Sequence, residues 1–404
     1  MSALKGLRIL DLSRVLAGPH ATQIMGDLGA EIIKIEKPYA GDDTRFWGPP
    51  FLKDKDGKDT SESAYYLSVN RNKKSVAIDI SHPEGQKLIH RLLESCDVLI
   101  ENFKVGGLEK YGLSYAQLKD RYPGLIYCSI TGFGQSGPLA SEPGYDLMAQ
   151  AMAGLMSVTG DASGPPMKVG VALSDVITGL NATIGILAAL NHRHQTGHGQ
   201  HVDVSLIDCT LASLVNLAQY YLTSGKTPTR YGNAHSTIVP YEAFSAADGY
   251  IIVAVGNDAQ FRRFCTMLEQ TAWADDPRFI NNSARVLNRS ILVPMIEDLI
   301  RRKPAGYWIE KMLELDIPGG PVNTIDQVFA MEQVQHRKME ITLPHTQSPK
   351  PITLVGSPLK LSETPVTYQN APPVLGQDTQ DILKGILNLS ENDIAALKAA
   401  KAIQ

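Results

Sequence analysis

The first 130 residues of the chain alternate short apolar runs with segments of helical periodicity. The apolar runs are LRILDLS, EIIKIE, DVLIEN and LIYCSI, and helices are predicted between them over 22–28 and 83–93. Because parallel strands need long crossover connections, which are usually helices, this alternation predicts a parallel sheet with helices on its faces. We therefore expect an α/β fold with a large Rossmann-like domain.

Length and a change in texture along the chain indicate two lobes. A chain of 404 residues exceeds one simple core. We predict a large domain over 1–200, a linker helix over 201–225, a smaller α+β domain over 226–320, and a proline-rich return segment over 321–404 that completes the large domain. The apolar helical pattern over 174–193 is expected to be buried on most of its faces.

Charge and composition exclude several classes of partner. Lys and Arg number 38 and Asp and Glu 42, so the net charge is −4 and there is no basic excess for binding nucleic acid. The N-terminus lacks the apolar run of a signal peptide, and no stretch reaches the roughly 18 apolar residues of a membrane span. These features predict a cytoplasmic protein, or a mitochondrial matrix protein in a eukaryote, with no membrane partner. The scattered cysteines predict neither a disulfide framework nor a zinc site.

Two motifs suggest other chemistry but lack the context it requires. The sequence GFGQSG over 132–137 spells GxGxxG after a strand, but Pro138 follows and no helix opens there, so a glycine-rich turn is favoured over a nucleotide site. A histidine group crosses the turn that ends a predicted helix, which scatters the rings and argues against a metal site; it comprises His192, His194, His198 and His201. We predict no metal ligands.

Asp175 is a candidate for chemistry because of its position. It follows Ser174 at the start of the apolar helix, where free N–H groups and the helix dipole favour an anion. By position alone, such a residue more often stabilises a helix than reacts.

Long segments of the chain resemble the class III CoA-transferase family, also called CaiB/BaiF, and the resemblance covers essentially the whole chain. They include LRILDLSRVLAGPHATQIMGDLGAEIIKIEKPYAGDDTR, YYLSVNRNKKSVAIDI, VLIENFKVGGLEKYGL, GVALSDVITG, ILAALNHRHQTGHGQHVDVSL and PPVLGQDT. The resemblance implies an interlocked homodimer in which both ends of each chain build the large lobe. It also implies a CoA thioester as substrate, with no permanently bound cofactor.

In that family the catalytic aspartate lies in the motif matched by GVALSDVITG, which corresponds to Asp175. The resemblance implies that this carboxylate attacks a donor thioester, giving a mixed anhydride and then an aspartyl-CoA thioester. The reaction needs an ionised carboxylate, and we expect the helix N-terminus to help keep Asp175 ionised. The tetrahedral oxyanions need hydrogen-bond donors, for which the candidates are the backbone groups of Leu16, Ala17 and Gly18.

Further site residues follow from the resemblance or from their charge. The CoA-binding candidates are Arg14, Lys37, Ile80, Asn102, Phe103, Lys110, Tyr111 and Tyr145. Lysines suit the phosphates and aromatic rings suit the adenine, although many family members have lysine where Ser81 stands. A second substrate carboxylate requires a cationic partner, for which the candidates are Arg14, Arg45 and Arg71, with His235 as a polar partner.

The substrate class also rests on the resemblance. The segments DDTRFWGPPF and RYGNAHSTIVPYEAF are similar to the succinate and glutarate branch, which implies succinyl-CoA as donor and a small dicarboxylic acid such as glutarate, itaconate or malate as acceptor. Leu16 stands where oxalate-specific members have glutamine, so oxalate is disfavoured. Two alternatives remain open: an α-methylacyl-CoA racemase, whose histidine would fall at Tyr145, and a non-catalytic CoA-ester binding protein.

Overall fold

The computed structural model describes residues 2–404 of the chain. Its strands are β1 (Arg8–Asp11), β2 (Glu31–Glu36), β3 (Phe51–Lys53), β4 (Asp59–Ser63), β5 (Lys73–Ala77), β6 (Val98–Glu101), β7 (Ile126–Thr131), β8 (His201–Ser205), β9 (Tyr241–Ser245), β10 (Tyr250–Ala254), β11 (Gly319–Pro321), β12 (Glu340–Leu343) and β13 (Ile352–Val355). Short 3-10 helices span Asp43–Phe46, Glu109–Tyr111 and Thr271–Ala274.

The α-helices of the described residues follow in chain order. They are α1 (Ala17–Asp27), α2 (Ala64–Ser68), α3 (Pro83–Leu93), α4 (Tyr115–Leu118), α5 (Asp146–Met152), α6 (Leu155–Val158), α7 (Leu173–Thr196), α8 (Leu206–Ser213), α9 (Val215–Ser224), α10 (Asp258–Met267), α11 (Asn282–Leu287), α12 (Arg289–Ile300), α13 (Ala305–Glu314), α14 (Ile325–Ala330), α15 (Glu332–His336), α16 (Thr379–Gly385) and α17 (Glu391–Ala399). The helix predicted over 83–93 is confirmed, and the one predicted over 22–28 begins earlier, at Ala17.

A six-stranded parallel sheet confirms the predicted α/β class. Its strand order is β5-β2-β1-β6-β7-β8, with every neighbouring pair parallel. Numbered along the chain, these strands have the order 3-2-1-4-5-6 of a doubly wound nucleotide-binding fold. The order reverses between β1 and β6, so a crevice opens at the carboxyl ends of these two strands, where such folds bind ligands.

The central strands are apolar on both faces because helices cover both sides of the sheet. In β1, Ile9 and Leu10 are both fully buried, yet they belong to different cores. Leu10 packs in the core that contains Leu99, and Ile9 packs in the core that contains Val98. Alternate side chains along a strand point to opposite faces, so this pattern follows directly from the pleat.

Helix α7 is longer than predicted and less buried in the single chain. It ends at Gly197, whose φ of 78° gives the left-handed residue that commonly terminates a helix. One face is buried, but Leu180 and Ile184 are 45% and 64% exposed, so the expectation of burial on most faces was wrong for the isolated chain. By length and composition alone, α7 is long and apolar enough to cross a membrane. One such helix is weak evidence for a membrane span, because the core helix of a soluble protein meets the same criteria.

The chain divides into two compact units whose boundaries differ from the predicted domains. The first comprises Met1–Leu155, Val169–Gly225 and Glu332–Gln404, and the second comprises Met156–Lys168 and Lys226–Met331. The segment 201–225 was predicted to be a linker helix, and this was wrong. Its first five residues form β8, which pairs with β7 in the central sheet, and α8 and α9 follow in the same unit.

The second unit has an α+β architecture with its own core. Strands β11, β10 and β9 form an antiparallel sheet in that order, and helices α10 to α14 belong to the same unit. Its core contains Phe244, Ile251 and Phe264, all essentially inaccessible to solvent.

Candidate active site

Two adjoining cavities lie at the crevice between the carboxyl ends of β1 and β6 in the first unit. The first is lined by residues that follow β2 and β5, including Lys37 and Ile80, and the second contains Asp175. Both are lined by Arg14, Phe103 and Tyr111, so they are contiguous, and we call them together the groove. The groove therefore lies where the reversal of strand order predicts a ligand site.

The groove brings together most of the residues predicted from the sequence. The first cavity is lined by Lys37 and Ile80, the second by Leu16, Ala17, Asn102, Lys110, Tyr145 and Asp175, and both by Arg14, Phe103 and Tyr111. These side chains are supplied by loops that are far apart in the sequence but follow neighbouring parallel strands. Ser81, where many family members have lysine, also lines the first cavity.

The loop between β1 and α1 carries an unusual backbone conformation beside Asp175. Val15 has a φ of 71°, which is strained for a β-branched residue. The Val15 N–H donates to Asp42 Oδ1 at 3.3 Å, and the Ser13 carbonyl accepts from Lys34 Nζ at 2.9 Å. Asn102 bonds both backbone polar groups of Arg14. Fixed side chains therefore hold this loop in its strained form.

The strained loop determines where α1 begins. Leu16 precedes the helix, and the first N–H groups of a helix, here those of Ala17 and Gly18, have no partner within it. Leu16 and Ala17 line the same cavity as Asp175, so the start of α1 lies at the cavity wall. Gly18, the third candidate, is not among the residues that line the cavity. It permits a close approach to Ser13, whose side chain an added Cβ would overlap.

A buried charge network lies beneath this loop. Lys34 is fully buried and donates to Asp42 Oδ2 at 2.9 Å. Burial opposes ionisation of Asp42, but the charge of Lys34 and hydrogen bonds from Lys34 and Thr44 lower the pKa of Asp42 to about 2. Lys73 lies nearby, with its ammonium 3.4 Å from Asp11, and burial lowers the pKa of Lys73 to about 7.

Asp175 lies in the first turn of α7 and is partly buried. Burial, followed by the negative charge of Asp146, raises the pKa of Asp175 to about 7. The expectation that the helix N-terminus keeps Asp175 ionised was therefore wrong. The reason is geometric: the backbone N–H groups of Ser174 and Asp175 point to Asp146 Oδ1, at 2.8 and 3.4 Å.

Arg45 does not reach the groove, so its predicted role at a substrate carboxylate was wrong. It is 1% exposed and forms ion pairs with Glu36 at 2.8 Å and Glu62 at 2.7 Å. Its guanidinium also lies 3.8 Å from the centre of the Tyr66 ring and donates to the Pro373 carbonyl. Arg45 therefore joins separate segments of the first unit.

Arg71 is likewise buried and paired, and the same prediction was wrong for it. Its Nε and Nη2 donate to the two carboxylate oxygens of Asp27, and its Nη1 donates to the Val355 carbonyl at 2.8 Å. His235 belongs to the second unit, where its ring packs edge-on against Tyr241. Its role stays a prediction.

Sequence reasoning missed Asp146, Asp43 and the buried pair of Lys34 and Asp42. Asp43 lines the second cavity and accepts from Arg14 Nη1 at 2.8 Å. The signals available were an acidic residue immediately after Tyr145 and a lysine inside the apolar run EIIKIE. Neither signal identifies its partner, because the partners are distant in the sequence or belong to a different element.

The fold and the groove define a doubly wound α/β protein with a groove at the point where its strand order reverses, the position at which such folds bind ligands. The model of CoA-transferase family III matches residues 4–379, and the chain belongs to this family. The predicted family is therefore confirmed.

Curated relatives and solved structures agree with this assignment. The succinate–glutarate CoA-transferase of Agrobacterium fabrum is 46% identical over 380 residues, covering 94% of each chain. The human succinyl-CoA:glutarate CoA-transferase is 42% identical over 400 residues, which are 99% of this chain and 90% of the relative. A CaiB/BaiF family protein from Brucella suis has a TM-score of 0.85 at 43% identity, covering 95% of this chain and 99% of the other. Rv3272 from Mycobacterium tuberculosis has a TM-score of 0.82 at 27% identity, covering 94% and 98%.

Proposed function

We propose that this enzyme transfers CoA from succinyl-CoA to glutarate or a similar small dicarboxylic acid, with Asp175 as the nucleophile. The observation that carries the proposal is the position of Asp175 in the groove, in the same cavity wall as Leu16 and Ala17. The names of the relatives supply the substrates: two of them act between succinyl-CoA or succinate and glutarate. The substrate is thus a CoA thioester, and the chemistry is acyl and CoA exchange.

The proposed reaction proceeds through alternating anhydride and thioester intermediates. An Asp175 oxygen attacks the thioester carbonyl of succinyl-CoA, and the C–S bond breaks. CoA thiolate departs, and the mixed anhydride of Asp175 and succinate is formed. The thiolate then attacks the aspartyl carbonyl, which releases succinate and forms aspartyl-CoA. The acceptor carboxylate attacks this thioester, and the returning thiolate attacks the acceptor's acyl carbon, which frees Asp175. Bonds and electrons balance without water or a redox partner.

The tetrahedral intermediates need donors close to Asp175. The N–H groups at the start of α1 support this role because they lack intrahelical partners and belong to the loop that Lys34, Asp42 and Asn102 hold. Donors that are fixed before the reaction do not have to reorganise as charge develops on the oxyanion. We therefore assign the oxyanion site to the backbone of residues 16–18.

The rest of the groove fits the length and chemistry of CoA. Lys37 and Ser81 in the first cavity offer cationic and hydroxyl contacts for phosphate, and the rings of Phe103 and Tyr111 offer apolar surfaces for adenine. Asn102, Lys110 and Tyr145 would contact the arm that leads to the thioester. Of the three candidate arginines, Arg14 alone lines the groove, so we retain it for a substrate carboxylate or a CoA phosphate, with His235 as a further candidate.

We also propose that two copies of the chain form the interlocked homodimer that the family resemblance implies. Large apolar side chains of the first unit are exposed in the single chain: Met148, Met152, Leu180, Ile184, Leu211, Val215 and Leu222. They belong to α5, α7, α8 and α9, and a large exposed apolar surface is typical of an interface. Light scattering should give twice the 44.0 kDa chain mass, whereas a monomer would contradict the proposal.

The direct test is a transfer assay with competing acids. The purified enzyme is incubated with succinyl-CoA and glutarate, itaconate, malate, mesaconate or oxalate, and new CoA esters are identified by mass spectrometry. Glutaryl-CoA is expected with the native enzyme and not with Asp175→Asn. Exchange of the α-hydrogen of a 2-methylacyl-CoA for deuterium, without any transfer, would instead establish the racemase alternative.

A further inference from the structure

The N-terminus of α7 is closed by the side chain of Asp146. Its Oδ1 accepts the Ser174 N–H at 2.8 Å and the Asp175 N–H at 3.4 Å, and its Oδ2 accepts Gln150 Nε2 at 2.8 Å. Gln150 is fully buried and its Oε1 accepts the Val169 N–H at 2.8 Å. One carboxylate thus takes the backbone donors beside the proposed nucleophile, and a buried amide holds that carboxylate in place.

From this geometry we propose that Asp146 is a positioning residue that fixes the first turn of α7 and withholds the backbone N–H groups of that turn from the Asp175 carboxylate. The inference rests on the proposed function of Asp175. It deepens that proposal by assigning a role to Asp146, which does not itself react in the transfer.

Two effects of this arrangement act in the same direction. Hydrogen bonds from a helix N-terminus would stabilise the ionised form of Asp175, but here Asp146 occupies them. A second negative charge nearby also disfavours ionisation. A more basic carboxylate is the stronger nucleophile once ionised, and its charge moves toward the thioester oxygen in the transition state. Repulsion from Asp146 is therefore larger before the attack than during it, which lowers the barrier.

Other groups around Asp175 do not replace this effect. Tyr65 lies close enough for its pKa to be raised to about 12, by burial and then by Asp175, Asp146 and Asp42. The remaining titratable and charged groups in the wall of the same cavity are Arg14, Asp43, Lys104, Lys110, Tyr111, Glu142 and Tyr145. Asp146 differs from all of these groups because its side chain accepts the backbone N–H of Asp175 itself.

The test measures formation of the Asp175 adduct from succinyl-CoA in a single turnover, across pH values of about 5 to 9. Asp146→Asn removes the charge and keeps an oxygen for the Ser174 N–H, while its amide nitrogen faces Gln150 Nε2 and that hydrogen bond is lost. We expect the acid limb of its pH–rate profile, where the rate of adduct formation falls as Asp175 is protonated, to move about one unit toward lower pH. The limiting rate at high pH should fall about threefold if carboxylates follow the Brønsted slope of about 0.5 known for thiolates.

Asp146→Glu is the matched control because it keeps the charge and, on a longer side chain, a carboxylate that can still accept the Ser174 and Asp175 N–H groups. Its acid limb should stay at the native pH even if its limiting rate falls. If both variants lose rate at every pH with the limb unmoved, Asp146 is merely structural and the inference is overturned. A limb that moves to higher pH in Asp146→Asn overturns it as well.

A second measurement does not depend on activity. In protein labelled with carboxyl-13C aspartate, the Asp175 resonance is assigned by its loss in Asp175→Asn and is then titrated in the native protein and in Asp146→Asn. A lower pKa in Asp146→Asn supports the inference, and an unchanged pKa refutes it. If the native protein shows this titration but neither adduct nor transfer, the proposed function fails while the electrostatic relationship stands.

Discussion

The side chain of Asn102 bonds both backbone polar groups of Arg14. Its Oδ1 accepts the Arg14 N–H at 2.9 Å, and its Nδ2 donates to the Arg14 carbonyl at 2.7 Å. Arg14 follows β1 and Asn102 follows β6, the two strands between which the strand order reverses. Asn102 therefore joins the two loops that form the groove, beside the strained residue Val15.

Replacing Asn102 should affect turnover more than CoA affinity. In Asn102→Ala both hydrogen bonds to Arg14 are lost, so the loop between β1 and α1 can relax. The backbone N–H groups at the start of α1 then move away from the position of the oxyanion. Misplacement of catalytic groups on this scale costs about 10- to 100-fold in kcat. We expect a change of this size in kcat in steady-state assays, with the Kd for CoA changed by less. Asn102→Asp, which keeps the acceptor for the Arg14 N–H, should retain more activity. A change confined to KM would contradict this role.

Two lysines, Lys34 within β2 and Lys37 just after it, should respond differently to replacement. Lys34 is fully buried against Asp42, so Lys34→Met leaves a buried carboxylate without its partner and should lower the free energy of unfolding by about 3 to 5 kcal/mol. Lys37 is exposed in the groove, so Lys37→Met should leave stability unchanged and raise the KM for succinyl-CoA. Urea unfolding and steady-state kinetics on both variants test this. The double variant Lys34→Met with Asp42→Asn should recover part of the lost stability; equal losses in the single and double variants would contradict the pairing.

The sequence predicts the central sheet well because its signals are local. Strands β1, β2, β6 and β7 are apolar runs, and loops after neighbouring parallel strands must meet at one edge, which brings Lys37 and Phe103 to the groove. Strand β5, with the sequence KKSVA, is not an apolar run, so the placement of Ile80 in the groove rested on the family resemblance. Arg45 and Arg71 were misjudged because no local pattern reveals whether a guanidinium meets substrate or a distant carboxylate. Arg71 pairs with a residue 44 positions away. The segment beginning at 201 was misjudged because β8 is a short strand directly followed by helices.

The effect of Asp146 on Asp175 could not be predicted from the sequence, because it also depends on a contact between residues that are distant in the sequence. Its contact with the Asp175 backbone joins residues 29 apart, across α5, α6 and an irregular stretch before α7. Sequence position correctly indicates the first turn of α7 but says nothing about which group occupies the helix N–H donors. The position of Asp175 in the sequence predicts a stabilised carboxylate anion, whereas in the folded chain burial and Asp146 disfavour that anion and raise the pKa of Asp175.

Glu101 should make the stability of the enzyme depend on pH. It is buried at the end of β6, and burial raises its pKa to about 7 from the ordinary 4.5, although hydrogen bonds from Ser129 and the Phe103 N–H oppose the change. A carboxyl with a raised pKa in the folded state favours folding in its neutral form. Its contribution is therefore complete below about pH 4.5 and is lost as the pH rises through about 7.

Glu101→Gln should remove that dependence. Its amide oxygen can still accept the Phe103 N–H, now 2.7 Å from Glu101 Oε2. Near pH 8 the variant should be more stable than the native enzyme by up to about 3 kcal/mol, and near pH 4.5 the two should be equal. Urea unfolding at both pH values measures the difference. Glu109→Gln, at an exposed glutamate of the following 3-10 helix, controls for the loss of one negative charge. A stability difference that is the same at both pH values would contradict burial as the cause.

Asp175→Asn should abolish transfer and stabilise the fold above neutral pH. The native carboxylate must be ionised to attack, and its pKa of about 7 in the free enzyme places the acid limb of kcat/KM near that pH, with kcat/KM rising as the pH increases. The same raised pKa means that ionisation of Asp175 costs folding free energy, absent below about pH 4 and complete above about pH 7. The amide cannot ionise and avoids this cost. Because Asp175 is only partly buried, we expect a gain of about 1 to 3 kcal/mol near pH 8, seen as a higher Tm, and none near pH 4. An inactive variant with native stability at both pH values would show that Asp175 reacts but is not held at an energetic cost; an active variant would remove it as the nucleophile.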